Sequence, residues 1–329
     1  MKTLTCRNVN DGFVEALWYM RIQGVRENTR NGPVRSAEGP VIVEFQKPWE
    51  RTHFCAVRDA NPFFHVMEAM WMLAGRNDVK WPASFASNIA NYSDNGLTLH
   101  GAYGYRWLNH FGPDQIQEVI DHLKADPQTR RAVISMWDPV SDLKMVETGG
   151  KDVPCNTHIY FRPRGAFLDM TVCNRSNDLV WGLFGANVVH MSFLHEFIAA
   201  ATGFQMGSYY QMTNNLHVYE QHWPLLEHPP IALQGADQGT RVPLTDDGYY
   251  AGLYRDLVWF LNDPEGEYRY HNSWFVSVLK PMYLAHKLYK QDKLGEAIDQ
   301  SALIADSDWS AACCLWLSRR AKKKEQLDA

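Results

Sequence analysis

The sequence predicts an α+β fold: a mixed sheet with helices packed against it, followed by a C-terminal helical extension. Three observations carry this. Short β-prone runs cluster mid-chain at 131–137, 158–161 and 166–172, and Arg162-Pro163-Arg164-Gly165 separates the last two as a hairpin-like turn. Helical apolar periodicity flanks them on both sides. The 329 residues are 46% hydrophobic and 13% aromatic, enough to bury a large core and to exclude disorder or a disulfide miniprotein.

Taken in order, 13–25 reads as an opening helix with Phe13, Leu17, Met20 and Val25 on or near one face. Residues 27–40 mix Asn, Gly and Pro with Arg and Glu, which is loop chemistry, and 41–45 reads as a strand. Asn61-Pro62 starts a helix that Gly75 stops, and 115–124 is an amphipathic helix closed by Asp126-Pro127. A buried-looking helix over 188–202 ends at Gly203. After about residue 225 the texture changes: Pro229-Pro230, Asp246-Asp247-Gly248 and Asp263-Pro264-Glu265-Gly266 punctuate the chain, and helical patterns run from about 273 to 320. The chain thus divides into a core over 1–225 and a mostly helical extension over 226–329, packed on the core.

Charge narrows the function classes. Lys and Arg total 32 against 37 Asp and Glu, a net charge of −5, which argues against broad nucleic-acid binding. The run Arg319-Arg320-Ala321-Lys322-Lys323-Lys324 reads as a helix C-terminus complementing the macrodipole. The longest apolar stretches fall short of the roughly 20 residues of a membrane span, and the N-terminus turns polar at once. A soluble, cytoplasm-type protein without a membrane partner is expected. Six cysteines without a C-x-x-C pair predict free thiols, and no metal.

Two residues stand out chemically. Cys155 follows Pro154 between a polar loop and a strand, with Arg130-Arg131 upstream and Arg175 downstream to favour thiolate. Glu68 lies among Phe64, Met67, Trp71 and Met72, where a carboxylate is costly unless paired or working, and its pKa should rise.

These residues belong to a larger ordered set: Glu68-x-x-Trp71-x-Leu73-x-Gly75, Ala102-Tyr103-Gly104, Arg130-Arg131, Pro154-Cys155, Asn174-Arg175-Ser176-Asn177-Asp178, Gly182-Leu183…Asn187 and His217-Val218-Tyr219. In that order, over about residues 13–225, the chain resembles the thymidylate synthase superfamily, which includes the pyrimidine nucleotide hydroxymethylases. The resemblance implies one-carbon transfer from 5,10-methylenetetrahydrofolate to C5 of a pyrimidine nucleotide, with Cys155 adding at C6 and Glu68 as general acid/base. It implies that Arg175, Ser176, Arg130 and Arg131 hold the 5′-phosphate, the double arginine reaching across from the second subunit of a homodimer. His217 and Tyr219, two apart on an extended segment, would bind the sugar 3′-hydroxyl. Tyr103 and Asp178 would position cofactor and substrate, and Arg30 fits the loop phosphate ligand, with Arg35 the alternative.

Three departures from a methylating enzyme favour water capture and a 5-hydroxymethyl product. The indole that shields the intermediate in the family falls at Ile89, with Trp81 or Phe85 as substitutes; the chain runs on about a hundred residues past 225; and Gly182–Asn187 lacks the usual Pro-Phe and displaces Asn187 by one residue. The amide of Asn187 suits uracil, with His190 one helical turn on able to adjust the preference. The expected reaction is dUMP to 5-hydroxymethyl-dUMP, as in some bacteriophages. Thymidylate synthesis, dCMP or CMP hydroxymethylation, and a non-catalytic nucleotide- or RNA-binding role stand as alternatives.

Overall fold

The computed structural model describes residues 1–230 and 250–328. Ten strands are present among them: β1 (Lys2–Cys6), β2 (Val25–Thr29), β3 (Gly32–Ser36), β4 (Val41–Phe45), β5 (Val133–Ser135), β6 (Asn156–Arg164), β7 (Phe167–Asn174), β8 (Asn177–Asp178), β9 (Gln205–Thr213) and β10 (Leu216–Tyr219). Six form a mixed sheet in the order β1-β4-β9-β7-β6-β5, with β1/β4 and β7/β9 parallel and the other pairs antiparallel. A smaller sheet runs β2-β3-β10-β8. With the helices around them this is the α+β architecture expected.

Two helices set the core. Val188–Thr202 is buried at every residue from Val188 to Ala199 and ends on Gly203 at φ +79°. Pro62–Leu73 packs against it, with the Asn61 side chain accepting from Phe64 N at 3.1 Å, Pro62 in the first turn and Gly75 at φ +67° just past the end. Eleven of its twelve residues are buried, and the exception is Glu68. Leu179–Asn187 is wound as a wide, π-type helix leading into Val188–Thr202. Together Leu179–Thr202 make 24 residues that are long and apolar enough to cross a membrane, contrary to the expectation, although 89% of the most apolar window is buried inside the fold. Asn187, His190, His195 and Glu196 break up the apolar run in the sequence, and each of them is buried here.

The C-terminal helices (Tyr250–Asn262, Lys280–Lys290, Leu294–Ala302 and Ser307–Asp328) join the same apolar core. Leu257, Phe260, Phe275, Met282 and Leu317 cluster with residues of Pro62–Leu73. The Phe63 ring meets Trp316 at 5.6 Å and His286 at 5.4 Å, and Arg76 Nη1 donates to the Leu261 carbonyl at 3.2 Å. The turn Asp246-Asp247-Gly248 lies outside the described residues.

Several local expectations change. The first helix is Val9–Gln23, capped by Asn8, and Val25 belongs to β2. Residues 27–40 hold the β2–β3 hairpin, turning at Arg30-Asn31 with Gly32 at φ +103°. All five residues of β2 are exposed, so no alternation marked it as a strand. The 131–137 run contributes only Val133–Ser135, and a helix at Pro139–Glu147 follows, capped by Asp138. Its Asp142 is fully buried, in a bidentate pair with the equally buried Arg106 (2.7 and 2.9 Å). The basic run 319–324 is interior to a helix that continues to Asp328, so it does not cap a C-terminus. Instead Arg319 and Arg320 grip Asp59, and Lys324 pairs with Asp292.

Close packing makes one glycine irreplaceable. A Cβ at Gly104 would sit 1.9 Å from the Met72 carbonyl oxygen, so Gly104→Ala should cost about 3 kcal/mol or more. Gly295, helical with open space around it, should accept Ala with a gain of up to about 1 kcal/mol. Denaturant titration of both variants checks the contrast.

Candidate active site

Cys155 sits where the chain turns into β6. Its backbone N–H and that of Asn156 both donate to Tyr103 Oη, at 3.2 and 3.3 Å. The Cys155 carbonyl accepts from Arg175 N at 2.9 Å, and the Arg175 guanidinium donates to the carbonyls of Pro154 (2.9 Å) and Val153 (3.0 Å). Two donors of the fork thus hold the nucleophile's loop, and three remain on an exposed side chain. Burial pushes the Cys155 thiol up, Asp152 adds to this, and Arg175 opposes it. At neutral pH the chain by itself therefore holds a thiol.

Glu68 is pushed up to about 8, first by burial and then by the Asp152 carboxylate. Its side chain is 13% exposed, and Oε2 lies 3.3 Å from His190 Nε2. Asp152 is itself raised by burial while its Oδ2 accepts from Gly101 N at 2.7 Å. Proton-bearing Glu68 is the state expected of a general acid poised near neutrality.

Asn187 is held by other amides. The Tyr209 hydroxyl donates to Gln211 Oε1, Gln211 Nε2 to Asn174 Oδ1, and Asn174 Nδ2 to Asn156 Oδ1. Asn156 Nδ2 then donates to Asn187 Oδ1 at 3.4 Å, and Asn187 Nδ2 to Asn177 Oδ1 at 3.1 Å. From Gln211 to Asn187 each amide accepts from one neighbour and donates to the next, so their orientations are coupled; at the end of the chain Asn177 only accepts, its buried Nδ2 having no partner. One N–H and one lone pair of Asn187 are left over. The π-type winding of Leu179–Asn187 takes up one extra residue, and Asn187 still meets Asn156 and Asn177. Gly182 leaves room for this, since a Cβ there would lie 2.1 Å from Asn177 Oδ1.

His217 and Tyr219 share a face of β10, their rings 5.0 Å apart, and Asp178 is paired beside His217. Asp178 Oδ2 accepts from Trp181 N at 2.5 Å, while Oδ1 is buried without a partner. Ser176 is half-buried between Arg175 and β8. Arg35 pairs with Val218 in register, on the face away from His217 and Tyr219, and its guanidinium lies over the Trp223 ring at 5.4 Å. Arg30 stands exposed at the hairpin tip. Arg130 and Arg131 are exposed just before the edge strand β5, with no side-chain partner among the described residues; the fold of one chain does not bring them to Cys155.

The segment expected to supply the shielding ring is arranged differently. Trp81 donates its indole N–H to the Met67 carbonyl at 3.0 Å and stacks on Tyr283, and Phe85 packs on His286 at 4.6 Å, so neither takes the place of the missing indole. Ile89 is buried. The ring that faces the site is Tyr92, 47% exposed and missed in the sequence. Burial raises its hydroxyl, as do Tyr219, Asp178, Asp152 and Cys155 around it. Asp94 staples its loop to the nucleophile's loop by accepting from Lys151 N at 3.2 Å. An aromatic residue in a polar turn was the available signal.

Keeping Glu68 in this pocket has a measurable consequence. The folded chain holds the proton up to about pH 8, whereas an unfolded Glu releases it near 4.5, so stability falls as pH rises through that window. Glu68→Gln removes the effect. Its melting temperature should gain on the wild type steadily between pH 5 and 8 and level off above, by several degrees at the top of the window (about 1 kcal/mol or more), as read by calorimetry.

The comparisons with known proteins identify the family. The family profile described as "Thymidylate synthase" matches residues 22–229. A "Deoxyuridylate hydroxymethyltransferase" of Pseudomonas phage M6 is 42% identical over 341 residues, covering 97% of this chain and 95% of the relative. Proteins of the same name from Bacillus phage SP01 (43% identical, 55% of this chain) and Delftia phage PhiW-14 (34%, 50% of this chain) also match, and this chain spans about half of their length (49% and 47%). With the profile covering more than half of the chain and the similarity to the first relative running nearly end to end, this chain belongs to the thymidylate synthase family.

Proposed function

We propose that the chain transfers a one-carbon unit from 5,10-methylenetetrahydrofolate to C5 of dUMP and releases 5-hydroxymethyl-dUMP. One observation carries the reading: the cleft that holds Cys155 and Glu68 also presents Asn187 with one free donor and one free acceptor, the complement of uracil O4 and N3–H. The names of the phage relatives support the same base and product.

The residues divide the work as follows. Cys155 Sγ adds to C6, which breaks the ring conjugation and makes C5 nucleophilic. Folate, when bound, supplies the carbon at the oxidation level of formaldehyde. The unpartnered Asp178 Oδ1 suits the N–H donors of its pterin ring. C5 would bond to the folate's carbon and lose its proton to solvent; the bond from that carbon to the folate nitrogen would then break, Glu68 giving its proton to that nitrogen as tetrahydrofolate leaves and an exocyclic methylene remains. A water oxygen then bonds to the methylene as its own proton leaves to the Glu68 carboxylate. The C6–S bond then breaks, restoring the 5,6 double bond and the thiolate. Half-exposed Tyr92, rather than an indole, stands near Cys155, and a phenol there would let that water reach the methylene.

The phosphate would rest against the free donors of Arg175, Ser176 and Arg30, with His217 and Tyr219 on the sugar. In a homodimer, Arg130 and Arg131 of a second copy would complete the site. Their charge would help Arg175 bring Cys155 down toward the thiolate, which a single chain disfavours.

Incubation with the folate and each of dUMP, dCMP, UMP and CMP, with product mass and dihydrofolate followed together, tests the reading. The expected result is 5-hydroxymethyl-dUMP without dihydrofolate. A methyl product with dihydrofolate would overturn it. Cys155→Ser should reduce turnover to background while dUMP still binds. Asn187→Asp, which swaps the free donor for an acceptor, should lower kcat/KM for dUMP by about 10²-fold or more and raise activity toward dCMP.

A further inference from the structure

The helix Val188–Thr202 places a second titratable side chain against Glu68. His190 is 4% exposed and lies between Pro62–Leu73 and the cleft. Its ring makes a hydrogen bond to the His65 backbone, and its Nε2 has no hydrogen-bond partner but lies 3.3 Å from Glu68 Oε2. A ring whose N–H is spent on a backbone carbonyl carries its proton on Nδ1 and offers Nε2 as an acceptor. Burial lowers His190 to about 3, so the imidazole is neutral, while Glu68, at about 8, keeps its proton at neutral pH. A neutral acceptor thus faces a protonated carboxyl, the one pairing in which both groups are satisfied without charge.

We propose that His190 is a positioning residue for Glu68: Nε2 accepts the hydrogen bond from the Oε2 hydroxyl, which turns Oε1 toward the reacting base. This rests on the reading of Glu68 as the proton-handling group of the dUMP reaction and deepens it. The other groups around the pair work in the same direction. Asp152 faces Glu68 and keeps it protonated; Cys155, beside Asp152, is held as a thiol. On the imidazole side, Arg58, His53 and His65 crowd together, and the positive field of Arg58 discourages protonation of its histidine neighbours. A histidine placed there for packing alone would have no reason to aim its free nitrogen at a carboxyl.

The test has two arms. In the free enzyme, the infrared band of a protonated carboxyl that Glu68→Gln removes should be present at pH 7, and His190→Ala should move it to the higher frequency of a carboxyl without an acceptor. In turnover, His190→Ala should lower kcat by about 10²-fold, the low end for a group in a proton-transfer step, with dUMP KM little changed and the Glu68 limb of the pH profile displaced. His190→Gln, which retains an acceptor and more of the volume, should recover part of the loss and give an intermediate band. Should the Ala variant fail to fold, the Gln variant carries both readouts. An unmoved band, or an unchanged kcat and pH profile, overturns the proposal. A wild type that makes no hydroxymethyl product while its band responds to His190 overturns the dUMP reading and leaves the pair standing.

Discussion

The directional chain of side-chain amides from Tyr209 to Asn177 is the constraint on which the site depends. It joins β9, β7, the start of β6, the Leu179–Asn187 segment and β8, so it links most of the elements that line the cleft. Buried amides are costly when unpaired and cooperative when every member is matched. Because each link has a donor end and an acceptor end, reversing one amide would set oxygen against oxygen at one neighbour and N–H against N–H at the other. The orientation of Asn187 is therefore coupled to that of every amide back to Gln211. Gly182 and the π-type winding are the local accommodations that let this chain close.

Around that frame the titratable groups are held in their uncharged forms. Cys155 and Glu68 are pushed up, His53 and His190 are lowered to about 3, and burial leads the list of causes for each. A folded chain that keeps such groups neutral gives up stability at neutral pH in exchange for groups able to exchange protons. Arg175 is the visible counterweight, and it is shared between the nucleophile's loop and the solvent side where an anionic substrate would arrive. Arg130 and Arg131, exposed just before the edge strand β5 and without a side-chain partner among the described residues, stand away from their own chain's cysteine.

What the sequence made legible follows the range of the physics involved. The helix ends at Asn61-Pro62, Gly75 and Gly203 are local cap and φ chemistry, and they stand where they were expected. Cys155, Glu68, Asn187 and Asp178 were found through their order and spacing, and the structure brings them around one cleft. The hairpin β2–β3 was missed because an edge strand with no buried face has no periodic signature. Trp81 and Phe85 were offered for the cleft because nothing local shows that Tyr283 and His286, some 200 residues on, claim both rings. Tyr92 and His190 depend on loop and helix placement in the same way, so their roles are visible only once the Asp94 staple and the helix pairing are in place.

The C-terminal helices, for which the sequence offered no residue-level role, bear directly on Glu68. Pro62–Leu73 presents Glu68 to the cleft on one side, and on the other it is covered by Trp316, His286 and the rest of that apolar cluster. A helix buried on nearly every face cannot roll or slide without opening voids, and voids in a close-packed core are expensive. Asp59, strained at φ +48° just before this helix, is clamped by Arg319 and Arg320 from the last helix, and Arg76 just after it is tied to Leu261. Both ends and the back of the Glu68 helix are thus fixed by residues beyond 250. The 3.3 Å approach of Glu68 to His190 needs that fixity, because a displacement of about one ångström would part the two groups.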